Sequence, residues 1–198
     1  MRKLLSMSLV LALPMVVASS AMGVFHPLEG LDPGGFNVNN PSGWFRGWQF
    51  TVNADDITVT ELGLNMPMAG DTVMLELWDS STQSLIASTG PVTTQANVWQ
   101  YFDLDTSVAL DNGGTYVVGI FSSGQASYYY ASGLSDEWYP TGDIEYQTML
   151  YHNNTYSSYP TSSLNGYHYG VPDIGYVIPG PGALALLGLA GLVGRRRR

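Results

Sequence analysis

The sequence contains no cysteine, which excludes a disulfide framework, a thiolate metal site and a cysteine nucleophile. Positive charge is nearly as scarce. All seven basic residues are Arg2, Lys3, Arg46 and the run Arg195, Arg196, Arg197 and Arg198, whereas the sixteen acids lie between Glu29 and Asp173. The span from Leu4 to Gly194 therefore sets one cation against sixteen anions, a formal charge of −15. Such a surface repels phosphate backbones and has nothing with which to grip an anionic lipid surface, which argues against nucleic-acid binding. Cations, neutral glycans and basic partners stay open, and the same charge also serves simply to keep an exported protein soluble. Catalytic signatures are missing too: the three histidines, His26, His152 and His168, have no H-x-x-x-H spacing, and there is no G-x-S-x-G elbow or phosphate-binding glycine loop. Glycoside hydrolysis needs only two carboxylates, yet nothing singles out a pair among sixteen. No catalytic residue is nominated, and an enzyme is not expected.

What is present reads as one all-β domain. A chain of 198 residues holds one core of ordinary size, and 23 Gly and 11 Pro among many Thr, Ser, Asn and Tyr point to short strands joined by turns. After a Gly/Pro/Asn-rich lead-in (22–43), β-branched and aromatic residues gather in "WFRGWQFTV", "ITVTELGLNM" and "TVMLELWD", separated by the turn signals "NADD" and "PMAGD". Val73, Leu75 and Leu77 share one face. Ile57 and Val59 have the opposite parity to Leu62 and Leu64, so a bulge is expected between them. "SLIASTGPV", "VWQYFDL" and "TYVVGIF" continue the series, with "DTSVALDNGG" as a connection whose Asn112-Gly113 suits a tight turn. Strands recurring at this spacing without a convincing amphipathic helix predict an antiparallel β-sandwich with jelly-roll-like topology over 44–177, a barrel being the alternative. From Ser127 the composition shifts: eleven of the thirteen tyrosines lie between Tyr128 and Tyr176, in what reads as long loops with three more strands, the last at "DIGYVI".

Both ends carry apolar segments beside basic residues. "MRKLLSMSLVLALPMVVASSAMG" has Arg2 and Lys3, an apolar stretch from Leu4 to Val17 and then small residues, the pattern of a signal peptide cleaved near Ala21. At the other end, Pro179-Gly180-Pro181, "GALALLGLAGLVG" and the four terminal arginines follow in order. This arrangement over 178–198 resembles the PEP-CTERM sorting signal of exported bacterial proteins, with Gly180 where that family usually has Glu. The resemblance implies retention in the inner membrane, cleavage by an exosortase-like enzyme after signal peptidase has acted, and release to the cell surface or extracellular matrix. The apolar run of thirteen residues, Gly182 to Gly194, makes a helix of about 20 Å against about 30 Å of hydrocarbon, short for a permanent span but suited to a temporary one. The arginines should stay cytoplasmic and the acidic middle outside. The patterned segments over 44–178 are in addition similar to an exported bacterial β-sandwich family of unknown function, which implies a fold and an accessory role.

Two kinds of binding site are nominated. Trp138, Tyr139, Tyr128 and Tyr130 beside Asp136 combine rings that stack on pyranose faces with an acceptor for hydroxyls, as a glycan-binding surface requires; the strand residues Trp48, Trp78 and Trp99 are assigned to the core instead. Asp55, Asp56, Asp136 and Glu137 offer hard oxygen ligands in loops, where a Ca2+ ion would fix loop conformation, although acidic turns more often simply face water. The expected function is a structural or adhesive one at the cell envelope. A carbohydrate-binding module, with or without Ca2+, is the alternative, and extracellular polysaccharide the corresponding partner.

Overall fold

The computed structural model describes residues 23–169 and 171–178; the N-terminal segment read as a signal peptide and the run from Pro179 to Arg198 lie outside the described residues. Within them the protein is a β-sandwich. One layer is a six-stranded antiparallel sheet in the order β10 (Ser162–Ser163), β9 (Ile144–His152), β2 (Ser42–Val52), β7 (Thr115–Gln125), β4 (Thr72–Asp79), β5 (Ser84–Thr93). Two three-stranded sheets face it: β12 (Pro172–Val177), β3 (Thr58–Asn65) and β6 (Trp99–Ala109) in one, and β1 (Asn37–Asn39), β8 (Tyr128–Ser132) and β11 (Tyr167–Tyr169) in the other. The chain changes layer between β2 and β3, between β3 and β4, and again between β5, β6 and β7, the jelly-roll-like crossing expected of a sandwich. Among the described residues no helix is long and apolar enough to cross a membrane.

Alternation explains the inner layer. Trp44, Trp48, Phe50 and Val52 of β2, Leu75 and Leu77 of β4, and Val118 and Ile120 of β7 bury completely against Leu62 and Leu64 of β3 and Ile174 of β12. The parity slip between Val59 and Leu62 is met by a register shift against β6 between Val59 and Glu61, which turns both apolar sets inward. At the Asn112-Gly113 turn, Gly113 has a φ of 79° and donates to the Val52 carbonyl at 2.7 Å.

Three features differ from the sequence reading. β6 runs on through "DTSVA", read as connection, because its pairing with β3 continues to Ala109 opposite Thr58. The tyrosine-rich part holds five strands where three were expected, from β8 to β12. Finally, the six-stranded sheet buries side chains on its outer face as well. Phe45, Trp78, Val117, Phe121 and Leu150 form a second cluster there, with Tyr159 packed edge-on to Trp78 at 6.2 Å. Glu76 lies buried in the same face, its Oε2 accepting from the Trp78 indole at 3.1 Å, and burial raises its pKa.

Candidate functional site

Two regions combine exposed aromatic and polar groups, one toward each end of the sandwich. The first is the small sheet. Its strands, "NVN", "YYYAS" and "YHY", contain no charged side chain in an otherwise acidic domain. Asn37 pairs with Tyr130, Asn39 with Tyr128, Tyr169 with Tyr130 and Tyr167 with Ser132, so these residues share one face. The rings of Tyr130 and Tyr169 are 6.1 Å apart and those of Tyr167 and Tyr169 5.8 Å apart, both pairs tilted by only 21°. Tyr151 of β9 adds a further ring 6.0 Å from Tyr169. Tyr167 is 38% exposed; Tyr130, Tyr151 and Tyr169 are half-buried.

The row is anchored from below by Arg46, buried, with its guanidinium 4.5 Å from the Tyr128 ring centroid and 5.5 Å from that of Tyr169. It donates to the carbonyls of Phe45 and His152 at 2.7 and 2.8 Å, to the Tyr128 hydroxyl at 3.0 Å and to Asn153 Oδ1 at 2.9 Å. Among the described residues the acid–base pairs are both made by His26, so no carboxylate neutralises Arg46.

The second region lies where the described chain starts and ends. Residues 25–31 form a strap across the outer face of the β12-β3-β6 sheet. Phe25 and Tyr176 exchange backbone hydrogen bonds of 2.8 and 3.0 Å, and their rings stack at 5.7 Å. His26 stacks on Tyr101 at 3.8 Å and bonds through Nδ1 to Glu29 (2.8 Å) and through Nε2 to Glu61 (2.7 Å). The Tyr101 hydroxyl donates to Asp173 Oδ2 at 2.8 Å, which also accepts from the Leu28 amide at 3.1 Å. Two glycines make this layering fit: a Cβ on Gly63 would fall 2.3 Å from the Tyr101 ring, and one on Gly175 would fall 2.9 Å from both Glu61 and His26. Burial lowers the His26 pKa, but the hydrogen bonds and charges of Glu61 and Glu29 outweigh it and leave the pKa raised. Asp173 is fully buried, and desolvation lifts its carboxyl to about 7 against the opposing effect of its three hydrogen bonds. Burial also raises Tyr101, and pushes Tyr176 up to about 12.

Between the strap and the short 3-10 helix Asp136–Trp138 is an open cleft of about 330 Å³, walled by Phe25, His26 and Pro27 on one side and by Asp136, Glu137 and Tyr139 on the other. Phe25 is 55% exposed at its rim.

These positions divide the residues nominated from sequence. Asp136 and Tyr139 meet in the cleft. Tyr130 belongs to the tyrosine row, Tyr128 is buried beneath it, and Trp138 is a core residue packed 4.8 Å from Phe36 and 5.8 Å from His168. Asp55 and Asp56 lie in the turn after β2, Asp55 accepting from Asn112 Nδ2 at 2.9 Å, whereas Asp136 and Glu137 sit on the 3-10 helix. The two acidic pairs thus lie in different segments, and among the described residues no group of three or more Asp, Glu or His is placed to hold a metal ion. The sorting residues Pro179, Gly180, Pro181 and Arg195 to Arg198 lie outside the described residues. Sequence reasoning missed Arg46 and the group His26, Glu29, Glu61, Tyr101 and Asp173; the only local signal was the i,i+3 spacing of His26 and Glu29, since Glu61, Tyr101 and Asp173 join through tertiary pairing.

No curated protein matches the chain. Residues 32–171 match the model of DUF4082, a domain of unknown function, and the chain belongs to that family.

Proposed function

We propose that this protein is an exported, non-catalytic module of the cell envelope or extracellular matrix, with an adhesive or structural role. Its C-terminal segment first holds it at the inner membrane and is then processed at Pro179-Gly180-Pro181. The observation that carries the reading is the place of the tyrosine row. Phe25 and Tyr176 pair at one end of the sandwich, two residues before Ile178, whereas the row sits by Arg46 and Tyr151, toward the end where β2 begins and β9 finishes. A module tethered near Tyr176 would thus present an uncharged aromatic surface away from its tether. Intact-mass measurement on envelope and medium fractions tests the sorting: the expected mature protein lacks the arginine run, and a full-length tail on secreted material would overturn it.

The carbohydrate-binding reading draws on the exposed amides of Asn37, opposite Tyr130 of the row, and of Asn39, opposite the buried Tyr128. Rings beside amide donors and acceptors, without charge, suit neutral sugars. Glycan-array binding by the exported protein, with Ca2+ and with chelator, should then be saturable and weaken about five- to tenfold in Tyr167→Ala, which removes about 1–1.5 kcal/mol of stacking. Equal binding by that variant would exclude the row as the sugar surface. Turnover of polysaccharide would refute the non-catalytic part.

A further inference from the structure

We propose that residues 25–31 form a proton-locked clasp: it stays closed while His26 carries its charge between Glu29 and Glu61 and Asp173 keeps its proton, and it opens as those protons leave. The clasp stands independently of the adhesive reading. Its anchors are few, and the titratable ones dominate. Beyond the Phe25–Tyr176 pair and the bond from the Trp99 indole to the Leu31 carbonyl at 2.9 Å, every polar contact of the strap named above runs to His26 or Asp173. The one deep apolar anchor is Leu28, fully buried.

The charges around His26 all favour its cationic form. On the strap it faces Glu29; β3 supplies Glu61; β6 supplies Tyr101 and, paired opposite Glu61, Asp103; β12 supplies Asp173 and Tyr176; across the cleft lie Asp136 and Glu137. No lysine or arginine is among them. A charged imidazole donates from both nitrogens, one to each carboxylate. Once neutral it has a single N–H, and its other nitrogen must turn a lone pair toward a carboxylate oxygen. Asp173 works in the same direction. Protonated, it is an uncharged partner for Tyr101 and the Leu28 amide; ionised, it becomes a desolvated anion beneath the strap, offset only in part by its hydrogen bonds and the charge of His26. Lifting the strap wets it.

The sign follows from proton counting. Both groups bind protons more tightly in the closed clasp than in water, so the closed form holds more protons than the open one and loses ground as pH rises. The Asp173 contribution fades from the ordinary aspartate range up to about 7, and that of His26 from 6.5 upward through its raised value. Opening frees one wall of the cleft, Phe25, His26 and Pro27, and uncovers the edge of β12 at Tyr176. Such an opening is local, leaving the inner layer intact. The family match, residues 32–171, contains neither the strap ahead of Asp32 nor the body of β12.

Hydrogen exchange on the full chain between pH 5 and 9, corrected for intrinsic exchange, tests this. Protection of the Phe25, Leu28 and Tyr176 amides should fall about 30-fold or more from pH 5 to 8, approaching tenfold per pH unit for each proton released, while Val118 and Ile120 of β7 stay protected. Asp173→Asn and His26→Gln should each flatten that slope whatever they do to its level, and the double variant should abolish it. Strap protection that tracks β7 at every pH, or a slope that survives in the double variant with β7 still protected, would overturn the clasp.

Discussion

Replacing Trp48 with alanine is expected to lower the unfolding free energy by about 4 kcal/mol, the cost of deleting a large buried aromatic side chain. Trp48 is fully buried in β2, which pairs with β7 on one side and β9 on the other. Its ring packs 5.2 Å from Phe50 and 6.2 Å from Tyr146. The indole also crosses between layers, donating to the Pro172 carbonyl of β12 at 2.9 Å. Alanine therefore opens a cavity at the centre of the six-stranded sheet and leaves that carbonyl dry at once. Phenylalanine separates the two effects: it refills most of the space but still leaves the carbonyl unpaired, for a loss of about 2 kcal/mol. Urea unfolding followed by circular dichroism measures both. An alanine variant within about 1 kcal/mol of wild type would show that β12 is not held through this residue.

The inner faces of β4 and β3 were legible because their aliphatic side chains keep to one parity even where the other side is also covered, as at Glu76 and Trp78 of β4: Val73, Leu75 and Leu77 turn inward, and the slip between Val59 and Leu62 is absorbed by a register shift. In β2 parity fails. Trp44 and Trp48 face the core while Phe45 is buried on the outside, and a strand covered on both faces shows no alternation to read. Trp138 was opaque for another reason. In "SDEWYP" nothing distinguishes a ring offered to solvent from one turned inward by a 3-10 helix, and its burial depends on Phe36 and His168, distant in sequence. The strap was hidden in the same way, since "FHPLEGL" has no period and Leu28 is buried where Asp173, 145 residues on, receives its amide. Of the candidate glycan residues, the sequence placed Asp136 and Tyr139 near each other by adjacency. The row of Tyr130, Tyr167 and Tyr169 arises from cross-strand pairing that local sequence does not encode.

Arg46→Leu should cost about 3 kcal/mol, and Arg46→Lys more than half as much. Two effects compete. A buried cation without a carboxylate partner carries a desolvation penalty that leucine removes, and replacing buried charges by apolar groups is sometimes neutral or stabilising. Here, however, the guanidinium serves four oxygens at once: the Phe45 and His152 carbonyls, the Tyr128 hydroxyl and Asn153 Oδ1. It also lies against the rings of Tyr128, Tyr151 and Tyr169. Leucine strands those oxygens in a dry site, each at about 1 kcal/mol or more, and forfeits the cation–π attraction, so the losses exceed the desolvation relieved. Lysine keeps the charge, but a compact ammonium cannot reproduce a planar fork that reaches from β2 to the end of β9 and to β8. Because Tyr128 and Tyr169 rest on the guanidinium, the leucine variant should also loosen the small sheet, seen as faster hydrogen exchange at Tyr129 and Tyr169 than the global destabilisation accounts for. A leucine variant as stable as wild type would mean that desolvation dominates and that the tyrosine row does not depend on its buried cation.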